Sequence, residues 1–168
     1  MGRNSDYYKE QKLLKLKKLK QLEASLPTYV ISYLDEKELN SQISNILSYA
    51  YDLHTFFRYI LESNPSCKNM AVKDISLEFL ENLTFEDINE YQKYLSYTDS
   101  GEKHMNNERG IARRMAPLRG FFKFACLHGY MKANPTLGAA KRKKAPKDDI
   151  IRMNAAEVGN MLNTVQKT

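Results

Sequence analysis

Arginine and lysine side chains crowd one predicted helix of this 168-residue sequence. Arg109 and Arg113 are four residues apart, so they share one helical face, and Arg114 projects further round the helix. Lys123 lies between this face and an apolar stripe. A guanidinium group holds a phosphate bidentately or donates to O6 and N7 of guanine. The spacing therefore predicts a surface for a polyanion, through phosphate or base contacts; the alternative is a basic face that is only solvated.

Positive charge is segregated along the chain, although the net charge is only +6. Residues 101–147 hold twelve basic and two acidic residues, and residues 1–24 hold seven and three, whereas residues 25–100 hold five and twelve. A strongly basic stretch is typical of nucleic-acid-binding proteins. We therefore favour nucleic acid as the partner over a merely polarised surface.

Patterns for metal, cofactor or nucleophilic chemistry do not occur in the sequence. His54, His104 and His128 lack a partner at a metal-binding offset, and there is no GxGxxG motif, phosphate loop or nucleophile elbow. Cys67 and Cys126 are expected to be reduced thiols. No apolar run approaches a membrane span, and the N-terminus lacks the apolar block of a signal peptide. We expect no cofactor, no metal, no membrane partner and a cytoplasmic location.

Apolar residues recur at helical spacing through most of the chain, and no alternating run indicates a strand. A leucine-rich helix with interspersed lysines is predicted for residues 6–23, and a short helix from Pro27 to near Asn40. A long helix follows, with Ser41 as its N-cap and Pro65 just beyond its end. The sequence thus predicts an all-α fold, a bundle of about four helices with an extra N-terminal basic amphipathic helix.

Two further helices complete the predicted bundle before the basic one. The first lies near residues 76–82, and the second begins at Thr84, with Asp87 at the offset of a capping box and Phe85 expected to face inward. The basic helix ends near His128, before Gly129.

Pro117 lies in the middle of the basic helix, whose apolar positions include Ile111, Met115 and Phe122. A proline removes one helical hydrogen bond, so it is expected to bend the helix or to divide it in two. Arg119, beside the apolar stripe, is expected to pack its stem there and to pair with an acid.

Four segments are predicted along the chain: the leucine-rich helix at 1–26, a DNA-binding domain at 27–134, a basic linker at 135–153, and the start of a second, truncated domain at 154–168. The linker contains Pro135, Gly138 and Pro146 and a run of basic residues. Asn154 and Glu157 are placed to begin the last helix.

Two stretches resemble one family. The segment "SYAYDLHTFFRYIL" resembles the aromatic-Asp-Leu-x-x-Phe pattern in the second helix of the core-binding domains of tyrosine recombinases, or phage-type integrases. The segment "ARRMAPLRGFFKFACLHGYMKANP" is similar to their last helix, and it is the more specific of the two. The closing "MNAAEVGNML" is similar to the entry into their catalytic domain.

The resemblance implies a helical domain that forms half of a C-shaped clamp on double-stranded DNA. It also allows other recombinase protomers on the DNA as partners. It implies that the starts of the second and last helices face the major groove and that the linker crosses the duplex. Lys123 of the basic helix is also a candidate DNA-binding residue. By position, the family pattern implies these further DNA-binding residues: Gln42, Ser44, Asn45, Ser48, Asn107, Arg109, Arg113, Arg114, Lys141, Arg142, Lys143 and Lys144.

The family's catalytic residues do not match positions here. His54, His104 and His128 lack the arginine of the family's His-x-x-Arg motif, and none of the eleven tyrosines is assigned as the nucleophile. We therefore expect these residues to bind DNA selectively and not to cut it, with cutting left to the parent recombinase. Two alternatives remain: a protein-interaction or regulatory module that uses the leucine-rich helix, and a helical DNA-binding protein of another lineage.

Overall fold

The computed structural model describes residues 2–97 and 108–141, and this part of the chain is all-α. The predicted fold class is therefore confirmed, and no strand occurs in the described residues. The helices are α1 (Gly2–Glu23), α2 (Thr28–Glu38), α3 (Ile43–Ser63), α4 (Leu77–Glu81), α5 (Phe85–Tyr97) and α6 (Glu108–Leu127). Two 3-10 turns, Pro65–Cys67 and Val72–Asp74, join α3 to α4.

The centre of the bundle is α3, which packs against α1, α2 and α6. Its apolar positions recur at helical spacing and bury Ile46, Ala50, Leu53 and Ile60. Aromatic side chains from α3, α5 and α6 complete the core: Phe56, Phe57, Tyr91, Phe121 and Phe122. These contacts fix the orientation of α6 relative to α3.

The apolar stripe predicted for the basic helix is buried in full, from Ile111 to Ala125. Pro117 lies inside α6 and is itself buried, and the helix continues on both sides of it. The prediction that Pro117 divides the segment into two helices is therefore wrong, because the surrounding turns are held by their packing on the core. A bend at Pro117 stays a prediction.

The start of α5 and the end of α6 can be compared with the predicted capping residues. The capping box is confirmed: the Thr84 amide donates to Asp87 Oδ2 at 2.8 Å, and the Asp87 amide donates to Thr84 Oγ1 at 3.4 Å. Gly129 has a φ of 76° after the end of α6, which suits a residue without a Cβ. Phe85 was expected to face inward, but it is 47% exposed, because it lies in the first turn of α5 at the edge of the bundle.

The start of α3 differs from the prediction by one residue. Gln42, not Ser41, is the N-cap, since Gln42 has an extended backbone and the helix begins at Ile43. Gln42 makes no side-chain capping bond. The long helix therefore begins without a side-chain oxygen over its first amide groups.

The segment that follows α6 folds back over α5 and α6. Asn89 Oδ1 accepts from the Ala140 amide at 2.8 Å, and Gln92 Nε2 donates to the Ala140 carbonyl at 2.9 Å. Arg119 donates to the carbonyls of Thr136 and Ala140, at 2.9 and 3.3 Å. The expected acidic partner of Arg119 is thus replaced by backbone oxygens, and the first residues of the predicted linker lie against the bundle.

Gly120 allows α2 and α6 to approach closely. A Cβ built on Gly120 would overlap the hydroxyl of Tyr33, whose ring is packed between Phe121 and Phe124. Gly120→Ala is therefore expected to destabilise the protein by about 1–3 kcal/mol in urea unfolding, despite the better helix propensity of alanine. Tyr33→Phe removes the overlapping atom, so the double variant should lose less than the sum of the two single variants. Strict additivity would contradict this contact.

Candidate nucleic-acid interface

The first turns of α3 present the polar residues that were predicted to face DNA. Gln42, Ser44 and Asn45 are exposed, and Ser48 is half-buried. Ser44 Oγ accepts a hydrogen bond of 2.7 Å from Lys15 Nζ, so α1 reaches this end of α3. Because the helix lacks a side-chain cap and has no acidic residue in its first turn, this end carries the partial positive charge of free amide groups.

The arginines of α6 lie beside the same face of α3. Arg113 is exposed and Arg114 is half-buried, and the charges of both act on Asp52 of α3. Asn45, Ser48 and Asp52 are three and four residues apart, so they follow one face of α3. The structure therefore brings the predicted α3 residues and the α6 arginines to neighbouring positions. Arg109, one turn before Arg113, is also exposed.

Asp52 is the residue of this site that the sequence prediction missed. Burial raises its pKa to about 6, while the positive charges of Arg114 and Arg113 oppose that rise. The half-buried carboxyl group is thus a partly desolvated counter-charge to the two arginines. The signal in the sequence was an acid within the apolar helix segment "SYAYDLHTFF", but only the packing of α6 on α3 identifies its partners.

Asp52→Asn tests the cost of this buried charge. A folded-state pKa of about 6, above the ordinary value of 3.8, means that stability falls as pH rises from about 4 to 6 and remains reduced above that range. We expect the asparagine variant to match the parent near pH 4 and to gain about 1–2 kcal/mol near pH 8, after allowance for partial solvent screening. Urea unfolding at both pH values measures this.

The exposed Asp74 provides the control for that experiment. Asp74→Asn should leave the free energy of unfolding nearly unchanged at both pH values. A loss of stability in Asp52→Asn near pH 8 would contradict the expectation, because it would mean that attraction to the arginines outweighs the cost of burial.

Lys123 and Lys141 lie in a second basic region, apart from Arg109, Arg113 and Arg114. They line a cleft of about 520 Å³ together with Arg119 and Lys132. Ten residues separate Arg113 from Lys123 along α6, which corresponds to roughly 15 Å of helix. The predicted site residues therefore form two groups, one around the starts of α3 and α6 and one around the later half of α6.

Comparison with known protein families gives a match to this chain. The family profile of the phage integrase SAM-like domain matches residues 25–145. The chain belongs to this family. No curated protein and no solved structure matches the chain significantly.

The integrase match confirms the resemblance found in the sequence, and it spans α2 to α6 together with the segment that folds back on them. Of the site residues predicted for this integrase domain, Asn107, Arg142, Lys143 and Lys144 lie outside the described residues. The helix predicted after Asn154 also lies outside them. The match begins after α1, so this helix has no counterpart in the matched region.

Three buried or half-buried tyrosines in the integrase domain are poor nucleophiles. Burial raises the pKa values of Tyr29, Tyr33 and Tyr91 above the ordinary value. The Tyr29 hydroxyl also donates to the carbonyl of Ile75 at 2.6 Å. Each of these rings packs against other aromatic residues, so their role is in the core.

Within residues 2–97 and 108–141, no group of three or more histidine, cysteine or acidic side chains is placed to bind a metal ion. No helix in this part of the chain is long and apolar enough to cross a membrane.

Proposed function

We propose that the chain is the core-binding part of a site-specific tyrosine recombinase and that it binds double-stranded DNA selectively. The observation that carries the proposal is the placement of Arg113 and Arg114 near the polar start of α3, where their positive charges act on Asp52. Membership of the phage integrase SAM-like family supports a role in DNA integration and recombination. DNA breaking and rejoining is assigned to the parent enzyme and not to these residues.

The proposed interface divides its contacts between bases and phosphates. The exposed Arg113 would donate two hydrogen bonds to guanine, and Gln42 or Asn45 would do the same for adenine. Ser44, Ser48 and Arg109 suit phosphate contacts, which position the protein without reading sequence. The uncapped start of α3 adds free amide groups that favour a phosphate.

The second basic region extends the proposed contact along the duplex. Lys123 and Lys141 line one cleft, and Lys141 is the first residue of the basic run that continues through Lys144. Since Arg119 holds residues 136–140 against the bundle, the run begins from a defined position on the domain. We assign these lysines to phosphate contacts at the edge of the DNA interface.

The function is tested by selection of bound duplexes from a random-sequence pool, followed by affinity measurements at several salt concentrations. A shared sequence should emerge, and its affinity should fall roughly 1,000-fold or more between about 50 and 200 mM salt if about six phosphates are contacted. Failure to enrich any sequence would contradict selective binding. Weak salt dependence would contradict a phosphate interface.

A second candidate function uses α1 as a protein-interaction helix. Leu13 and Leu14 are both exposed, so α1 carries an apolar pair that the bundle does not cover. Partner binding through leucines should change little with salt, in contrast to DNA binding. The same salt series therefore separates the two functions.

A further inference from the structure

The N-terminal helix α1 is a fixed part of the bundle, although it precedes the region matched by the family profile. Leu19 is completely buried, and Leu16 and Leu22 are half-buried as α1 packs on α3. Burial of these side chains determines which face of α1 packs against α3. The lysines of α1 therefore occupy defined positions relative to the proposed DNA interface.

Contacts along α1 show that it runs in the same direction as α3. Lys15 bonds to Ser44 at the start of α3, whereas Ala24 and Ser25, after the end of α1, line a cleft with His54 and Arg58. The first half of α1 consequently lies at the end of α3 that was assigned to DNA. Ser44 and Asp52 are eight residues apart, or about two turns, so Lys15 and the α6 arginines approach the same side of α3 at different heights.

A cleft of about 610 Å³ separates the first half of α1 from the start of α3. Tyr8, Lys12 and Lys15 line it from α1, and Gln42 and Ser44 line it from α3. Glu38 is its one acidic lining residue, so the cleft carries an excess of positive charge. This charge is continuous with the free amide groups at the start of α3.

The bond between Lys15 and Ser44 leaves both groups able to hold a phosphate. The Ser44 oxygen accepts from Lys15 Nζ, so the hydroxyl proton remains free to donate. The ammonium group keeps two further N–H donors beyond the one that it gives to Ser44. Lys12 is exposed one turn earlier on α1 and adds a second cation at a helical spacing of three residues.

We propose that α1 is a third DNA-contacting element, in which Lys12 and Lys15 hold backbone phosphates beside the start of α3. The proposal rests on the proposed DNA-binding function and extends it to a helix outside the matched region. Duplex DNA is favoured over a membrane or a protein partner because Lys12 and Lys15 line a positively charged cleft beside the uncapped start of α3. The exposed Leu13 and Leu14 do not line this cleft. The proposed contacts of α1 and α6 then both adjoin the start of α3, whose residues read bases.

The test compares Lys12→Gln/Lys15→Gln with Lys17→Gln/Lys18→Gln in the full chain. Both double variants remove two charges from α1, but Lys17 and Lys18 do not line the cleft. Affinity for the selected duplex is measured against salt, with circular dichroism melting as the folding check. The cleft variant should lower the slope of log affinity against log salt by about 1.8 and weaken binding roughly tenfold or more at low salt. The control should change the slope by much less.

Failure of this inference is distinguishable from failure of the proposed function. If the parent protein binds the duplex and Arg113→Ala weakens it, while both α1 variants bind like the parent, α1 does not contact DNA. Equal losses in the two α1 variants would also overturn the inference, because they would reflect net charge and not the cleft. If the cleft variant changes self-association or vesicle binding but not DNA affinity, α1 serves another partner. No duplex binding by the parent protein would overturn both proposals.

Discussion

Phe121→Ala is expected to lower the free energy of unfolding by about 3–5 kcal/mol, the largest stability effect among the substitutions considered. The Phe121 ring is completely buried. Its centroid lies 5.2 Å from that of Phe122, 5.9 Å from those of Tyr29 and Tyr33, and 6.1 Å from that of Phe57. Truncation would leave a cavity where α2, α3 and α6 meet, and would remove edge and stacking contacts. Urea unfolding followed by circular dichroism measures this, since the chain has no tryptophan.

Leu127 provides a matched control within the same helix. It is 78% exposed at the end of α6, so Leu127→Ala should change stability by less than about 0.5 kcal/mol. A loss below about 1 kcal/mol in Phe121→Ala would contradict the packing described for the three helices.

Arg113→Ala is expected to weaken binding to the selected duplex by about 1–3 kcal/mol, or about 5- to 150-fold. The side chain is exposed on α6 beside the face of α3 that carries Asn45 and Ser48, where it would reach a guanine edge. Its effect on stability should be small, because it is exposed and the carboxyl group of Asp52 gains little from its charge. Fluorescence anisotropy with the selected duplex and with an unrelated duplex measures both affinities.

Arg58 is the matched arginine for this experiment. It lies exposed near the end of α3 and pairs with Glu62 at 3.1 Å, away from the first turns of that helix. Arg58→Ala should leave both affinities unchanged. Equal losses on the selected and unrelated duplexes with Arg113→Ala would reassign Arg113 to a phosphate, and unchanged affinity would contradict its place in the interface.

The two basic regions explain why charge alone is a weak guide to the site. Lys123 was grouped with the arginines because all of them lie on one basic helix, but it lines the cleft with Lys141 and Arg119. Arg119 itself donates to backbone carbonyls, so part of its positive charge serves to hold the chain after α6. Residues of one type on one helix therefore divide between binding and structural roles.

Short-range features of the fold were determined by the sequence itself. The apolar stripe of α6, the capping box at Thr84 and Asp87, and the glycine after α6 were all predicted correctly. Each depends on residues within about one or two helical turns, where spacing and side-chain chemistry decide the conformation. The family also followed from sequence, because "ARRMAPLRGFFKFACLHGYMKANP" combines core and basic positions in one helix.

Long-range placements were decided only by the tertiary structure. The charges of Arg113 and Arg114 act on Asp52, about sixty residues earlier in the chain. Lys15 donates to Ser44. The backbone of Ala140 is hydrogen-bonded to the side chains of Asn89 and Gln92. Pro117 stays within one helix because the core holds the turns on both sides of it. Such contacts depend on how helices pack and not on local periodicity, so a single sequence predicts which faces are apolar but not which side chains meet.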